Sequence, residues 1–86
     1  MKTAREMFEE LGYKIYEIYQ KHVCYNKEVE INNIIFLYII TFKDKTYHAY
    51  QCTEEDYGDD GITIDMKLFK AIQKQLEELG WLDEWQ

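Results

Sequence analysis

The spacing of hydrophobic positions along this chain changes twice, and each change marks a boundary between predicted elements. Near the start, apolar residues three or four positions apart define one helical face: Ala4, Met7, Phe8 and Leu11. The same spacing returns in the C-terminal third: Leu68, Phe69, Ile72, Leu76 and Leu79. Between these segments, β-branched and aromatic residues predominate, which is typical of strands. The pattern therefore predicts one helix at each end of a β-rich middle.

Both predicted helices have recognisable ends. Thr3 and Glu6 have the spacing of a capping box, and either Thr63 or Asp65 caps the second helix. At the C-terminal ends, Phe8-Glu-Glu-Leu-Gly-Tyr13 is matched by Leu76-Glu-Glu-Leu-Gly-Trp81. Glycine takes the left-handed conformation without steric cost, so each glycine is predicted to end its helix. The aromatic residue that follows is predicted to pack on the first residue of its segment.

The middle of the chain is organised around Ile34–Thr41, which favours a strand over a short buried helix. Four strands are predicted: Tyr13–Gln20, Val23–Lys27, about Glu30 to Lys43, and a fourth that ends before Thr53. Asn32–Asn33 is predicted to form a bulge or a bend inside the third strand. A two-residue loop at Asp44–Lys45 gives three cross-strand pairs: Phe42 with Tyr47, Ile40 with Ala49, and Ile39 with Tyr50.

This order predicts an α+β fold, with a helix, a four-stranded antiparallel meander and a second helix. Residues 1–86 are predicted to form a single domain, with both helices packed on one sheet face. The central strand is apolar on both faces, however, and a strand of that kind needs cover on both sides. We therefore expect the second sheet face to be a surface for association.

Charge and cysteine content restrict the classes of function. The net charge of −7 disfavours direct contact with nucleic-acid phosphates and suits a basic protein partner. No apolar run approaches the ~20 residues of a membrane-spanning helix. The first residues become acidic too early for a secretory signal, so a cytoplasmic protein is expected. Cys24 and Cys52 are then expected to be reduced thiols on strands.

Two arrangements would bind metal ions, and for each we favour a structural interpretation. His22, Cys24, His48 and Cys52 would supply four zinc ligands, but structural zinc sites usually occupy tight turns and these residues fall on predicted strands. The acidic segment Thr53–Gly61 lacks the alternating carboxylates of a calcium loop, so a solvated loop is expected. We predict no cofactor.

Catalysis is not expected either. The chain contains no serine and no glycine-rich phosphate loop. Its thiols are predicted to lie on strands without an activating cation, and such thiols are usually inert. The sequence therefore favours a non-enzymatic protein.

Aromatic residues point instead to protein contact, because tyrosine and tryptophan are enriched at protein interfaces. The predicted contact residues are Tyr38, Ile40, Phe42, Tyr47 and Trp85. Packing within the chain is the alternative explanation for these side chains. The expected partner is another protein or a second copy in a homodimer, with no direct nucleic-acid or membrane contact.

An acidic decoy that occupies the DNA-binding site of a host protein is the alternative function. Three groups of carboxylates motivate it: Glu6, Glu9 and Glu10; Glu54 to Asp60; and Glu77, Glu78, Asp83 and Glu84. Because acidic surfaces are common, contact through an aromatic sheet face is the first hypothesis.

The two ends of the chain also resemble small uncharacterised proteins encoded in phages and prophages of Gram-positive bacteria. The resemblance is carried by Thr3-Ala-Arg-Glu-Met-Phe-Glu-Glu-Leu-Gly-Tyr13, by Ile62-Thr-Ile, and by Ala71-Ile-Gln-Lys-Gln-Leu-Glu-Glu-Leu-Gly-Trp81. It implies an accessory protein expressed inside a bacterial cell, and it transfers no site residues.

Overall fold

A computed structural model describes residues 1–54 and 60–82 of the chain. Its elements, in order, are α1 (Ala4–Glu10), β1 (Lys14–Tyr19), β2 (His22–Ile31), β3 (Ile34–Lys43), β4 (Thr46–Thr53), β5 (Asp60–Gly61) and α2 (Met66–Glu78). The strands form one antiparallel sheet in the order β1-β2-β3-β4-β5. This confirms the α+β class and the predicted order of helix, four-stranded meander and helix. The two-residue strand β5 is an addition to that prediction.

Contacts divide the chain into two units, which we call the helical unit and the sheet unit. The helical unit consists of residues 1–13 together with the chain from residue 64 onward, and the sheet unit consists of residues 14–63. The single domain and the packing of both helices on one sheet face stay predictions.

In the helical unit, side chains cap both helix N-termini. The Thr3 hydroxyl accepts from the Glu6 amide at 3.1 Å, and the Thr3 amide donates to the Glu6 carboxylate at 2.9 Å. These two bonds confirm the capping box. Of the two candidates for α2, the cap is Asp65, whose carboxylate accepts from the Leu68 amide at 2.8 Å. Two amides at the start of α1 and one at the start of α2 are thereby paired with nearby polar groups.

The two C-terminal ends are alike, as predicted. After α1, the Tyr13 amide donates to the Phe8 carbonyl at 3.0 Å, across Gly12 with φ of 92°. After α2, the Trp81 amide donates to the Leu76 carbonyl at 3.1 Å, and the intervening glycine has φ of 77°. Both are Schellman motifs. The rings of Phe8 and Tyr13 meet edge to face, with centroids 5.8 Å apart.

The helices of this unit are also joined directly. The Ala4 amide at the start of α1 donates to the Glu78 carboxylate at the end of α2, at 2.7 Å. The buried residues of the unit are Ala4, Phe8, Tyr13, Leu68, Ala71, Ile72, Gln75 and Trp81. An acidic side chain at a helix N-terminus interacts favourably with the unpaired amides there. The Glu78 bond therefore stabilises α1 from outside its own sequence.

In the sheet unit, two-residue loops set the register. Asp44 and Lys45 have φ of 52° and 63° and join β3 to β4. Positive φ at both loop positions gives the twist that suits a tight hairpin. All three predicted cross-strand pairs between β3 and β4 are confirmed: Phe42 with Tyr47, Ile40 with Ala49, and Ile39 with Tyr50.

The predicted bulge at Asn32–Asn33 is wrong. These two asparagines form the loop between β2 and β3, with φ of 52° and 65°. Asparagine tolerates positive φ better than most residues, because its short polar side chain can hydrogen-bond locally. The second strand therefore runs on to Ile31, well past the predicted end at Lys27, and the third begins at Ile34.

Candidate functional site

The register assigns every described strand residue to one of two sheet faces, because paired residues share a face and neighbours along a strand alternate. We call one the buried face, since it contains four buried residues: Val23, Tyr25, Ile40 and Phe42. We call the other the open face. On β2 to β4 it comprises His22, Cys24, Asn26, Glu28, Glu30, Ile35, Leu37, Ile39, Thr41, Lys43, Thr46, His48, Tyr50 and Cys52. Among these, only the small residue Cys24 is buried.

Four of the predicted contact residues lie together on the buried face. Ile40 and Phe42 have no exposed surface at all, and Tyr38 is half-buried. Tyr47 is 38% exposed, and its ring lies against that of Phe42, with centroids 5.9 Å apart. The fifth residue, Trp85, lies outside the described residues. Ile40 and Phe42 therefore belong to the core of the single chain.

The open face presents a different set of apolar side chains, which sequence reasoning did not select. Ile35, Leu37 and Ile39 follow one another along β3, and Tyr50 lies opposite Ile39 on β4. We call these four residues the apolar strip. Ile35 is 48% exposed and the other three are half-buried. In contrast to Ile40 and Phe42, all four keep accessible surface.

Carboxylates border the apolar strip on its β2 side. Glu28 is paired with Leu37 and Glu30 with Ile35, and both glutamates are exposed. Cross-strand neighbours lie about 4.5–5.5 Å apart at Cβ, so each carboxylate stands beside an aliphatic side chain. Polar residues in these partner positions are the sequence signal that distinguishes the open face from the buried one.

The four residues of the zinc hypothesis are not brought together as one cluster within the described residues. All four candidate ligands lie on the open face or its continuation, but Cys24 and His48 are both paired with Thr41, from opposite sides. Two strand spacings, roughly 10 Å, therefore separate their backbones. No group of three histidine, cysteine or acidic side chains in residues 1–54 and 60–82 could hold a metal ion.

The cysteines match the expectation of free thiols on strands. Cys24 is buried in β2, and its sulfur lies 3.3 Å from the Thr41 hydroxyl. Cys52 is half-buried in β4.

Several of the carboxylates behind the decoy hypothesis are engaged within the helical unit. Glu6 belongs to the capping box, Glu10 forms a 2.7 Å ion pair with Lys2, and Glu78 accepts from the Ala4 amide. The hydrogen bond from the Thr3 amide, helped by the Thr3 hydroxyl, lowers the pKa of Glu6 from its ordinary value of 4.5. The acidic loop from residue 55 to residue 59, and Asp83 and Glu84, lie outside the described residues.

With this geometry in place, comparison with known proteins adds no relationship. No family model matches the chain, and neither a curated protein nor a solved structure matches it. Across the described part of the chain, neither helix has the length and apolar character needed to cross a bilayer.

Proposed function

We propose that this chain is a non-enzymatic accessory protein, of the phage and prophage kind that its helix ends resemble, and that it acts by protein–protein contact. The contact surface is the apolar strip on the open face. The observation that supports this best is the difference between the two sheet faces. Ile40 and Phe42 have no exposed surface, whereas all four residues of the apolar strip keep accessible surface. A contiguous apolar surface with a polar border is the usual anatomy of a protein-binding site.

Charge indicates the chemistry of the partner. Glu28 and Glu30 stand beside the apolar strip, and the chain carries a net charge of −7. Complementary potentials speed association and exclude unsuitable partners. The partner is therefore a protein segment with aliphatic side chains flanked by lysine or arginine. A second copy suits this face less well, because its own glutamates add like charge near the strip.

The test is affinity capture with matched variants from a lysate of the cells that encode the chain. Ile39→Thr removes apolar surface from the strip while keeping the β-branched shape that suits a strand. Glu28→Lys/Glu30→Lys reverses the border charge. Both are expected to weaken capture of the same basic protein by roughly tenfold or more, which corresponds to about 1.4 kcal/mol.

The matched control is Glu9→Lys/Glu77→Lys, which changes the net charge equally on exposed positions of the helical unit. It is expected to leave capture unchanged. Equal binding by wild type, Ile39→Thr and Glu28→Lys/Glu30→Lys would overturn the proposal.

Salt separates this proposal from an acidic decoy. A decoy complex is held mainly by charge, so its affinity falls steeply with ionic strength and is insensitive to Ile39→Thr. Binding through the apolar strip depends on Ile39 at every salt concentration. Within the described residues, the engagement of Glu10 and Glu78 inside the helical unit favours contact through the strip.

A further inference from the structure

The edge strand β1 contains the three most exposed large apolar side chains of the described strands. Tyr16 is 71% exposed, Tyr19 67% and Ile18 66%. Strand β1 pairs with β2 on one side, and no strand in the described parts of the chain pairs with its other side. An edge strand of this kind has unpaired backbone groups that are ready to bind a further strand.

The two edges of the sheet differ in how they are protected. At the far edge, β5 has two residues, which pair with Tyr50 and Gln51 of β4. The outer side of residues 46–49 has no strand partner in the described chain, so β5 covers only part of this edge. Strand β1 has six residues, contains no proline, and carries its single lysine at its first position, Lys14. Its one protective feature is the bulge at Tyr16, between Ile15 and Glu17. The bulge is local, so it restricts the register of an added strand rather than preventing pairing.

Backbone geometry identifies the residues that face outward. In a hairpin with a two-residue loop, the pair that flanks the loop exchanges both hydrogen bonds, and here that pair is Tyr19 and His22. Bonded positions alternate along a strand, so the N–H and C=O of Ile18 point away from β2. The bulge adds one residue, which gives Ile15 the same outward orientation.

We propose that β1 pairs antiparallel with β1 of a second copy, and joins the two sheets edge to edge. In the register that pairs the outward groups, Ile15 lies opposite Ile18 of the second copy, and the reverse pair follows from two-fold symmetry. These two pairs exchange four backbone hydrogen bonds. Both isoleucines lie on the same sheet face, as directly paired residues must.

Side chains favour a second copy as the occupant of this edge. The same register places Lys14 opposite Tyr19 of the second copy. Glu17 of that copy is then the diagonal neighbour of Lys14, at a distance that these two long side chains can span. Two lysine–glutamate contacts of opposite charge therefore form across the symmetric pair. A register that sets Glu17 opposite its own copy brings like charges together and is disfavoured. The apolar strip takes no part in the pairing.

The first experiment is sedimentation velocity over micromolar to millimolar protein. The mass is expected to rise from that of the 10.5 kDa chain towards twice that value. Ile18→Lys adds a charge to the centre of the edge at a position that is 66% exposed, and is expected to weaken self-association at least tenfold. Ile34→Lys makes the same change at an isoleucine that is 50% exposed on β3 and lies outside the apolar strip, and is expected to leave association unchanged.

A second experiment tests the register. Lys14 and Tyr19 of two copies form a non-hydrogen-bonded pair with Cα atoms about 4.5 Å apart, within the range of about 4.4–6.8 Å that a disulfide spans. Lys14→Cys and Tyr19→Cys are made separately on a Cys52→Ser background. An equimolar mixture is expected to give a disulfide-linked heterodimer, and either variant alone is not.

The outcomes separate the parts of the proposal. A wild-type chain that stays monomeric at the highest concentration overturns it, as does a dimer that Ile18→Lys leaves intact. A dimer that depends on Ile18 but gives no heterodimer disulfide overturns the register. Because Ile39→Thr leaves β1 unchanged, loss of partner capture in that variant is a separate result that bears only on the apolar strip.

Discussion

The helical unit and the sheet unit treat their large apolar residues differently. In the helical unit, Phe8, Ile72 and Trp81 are buried, whereas Met66 and Phe69 at the start of α2 are exposed. Each helix end is closed by caps from within the unit. The sheet unit buries Tyr25 and Phe42 but leaves β1 exposed, together with Ile31 and Ile34 at the tip of the β2–β3 hairpin. Tyrosine and isoleucine at half or more of their full exposure are concentrated there.

This difference shows where contact with other molecules is to be expected. A helix satisfies its backbone internally and needs only its ends capped, which short polar motifs accomplish. A sheet satisfies its interior strands but always leaves two edges, and its faces need cover from elsewhere. The surfaces proposed for binding therefore both lie in the sheet unit: the apolar strip and the outer edge of β1.

The largest expected effect contrasts one buried ring with one exposed side chain. Phe8 has no exposed surface and packs edge to face against Tyr13, so Phe8→Ala is expected to lower the free energy of unfolding by about 3–5 kcal/mol. Ile18→Ala removes a side chain that is 66% exposed and is expected to change it by less than about 0.5 kcal/mol. Urea titration at a concentration that keeps the protein monomeric measures both values.

Equal losses for the two variants would contradict the distinction between the units. Such a result would mean that Ile18 contributes to stability through contacts that its exposure in the single chain does not show.

A smaller effect compares two glycines, one in each unit. Gly80 has φ of 77° and no atom within 4 Å of an added Cβ, so Gly80→Ala has a purely conformational cost of about 1–2 kcal/mol. Gly61 also has open space around an added Cβ, but no left-handed φ. Gly61→Ala is therefore expected to be neutral, or stabilising by up to about 1 kcal/mol. Thermal unfolding of both variants measures the contrast.

Asparagine at position 80 sharpens the same test. Asn tolerates the left-handed conformation better than Ala, so Gly80→Asn is expected to be the milder substitution. If Ala and Asn cost the same, the Schellman geometry at this end does not limit stability.

The helix ends could be predicted from the sequence because their signals are local. Thr3 with Glu6, and each glycine followed by an aromatic residue, lie within one or two turns of the bonds they form. The β3–β4 register could be predicted for the same reason, since the Asp44–Lys45 loop alone determines it.

The choice of sheet face could not be predicted once one loop was misplaced. If Asn32–Asn33 lies inside a strand, the β2 residues that pair with β3 cannot be identified. The correct loop pairs Leu37 with Glu28 and Ile35 with Glu30, which identifies that face as the one in contact with solvent. The sequence prediction places the contact at Tyr38, Ile40 and Phe42, on the other face, because β3 by itself is apolar on both faces.

A third prediction concerns the β3–β4 loop in the sheet unit, where a residue other than glycine has a left-handed backbone conformation. Lys45 has φ of 63°, and left-handed backbone is unfavourable for a residue with a Cβ. Lys45→Gly removes this strain and creates the Asp-Gly loop preferred in two-residue hairpins. After the greater flexibility of glycine in the unfolded chain is subtracted, a gain of about 0.5 kcal/mol is expected in urea titration. Thr41→Gly, inside β3, is the control and is expected to destabilise. A loss of stability in Lys45→Gly would contradict this account of the loop.

The smallest effect returns to the helical unit and concerns pH. The Thr3 amide and hydroxyl hold the pKa of Glu6 below its ordinary value of 4.5. A carboxyl whose pKa is lower in the folded state contributes stability that is fully present above 4.5 and is lost as the pH falls through the folded value.

Glu6→Gln keeps an acceptor for the Thr3 amide but cannot titrate. Its unfolding free energy is therefore expected to fall less than that of wild type between about pH 6 and about pH 3, when both are measured by urea titration. Glu9→Gln, an exposed change in the same helix, is expected to retain the wild-type difference. If Glu6→Gln also retains it, the capping box does not depend on the charge of Glu6.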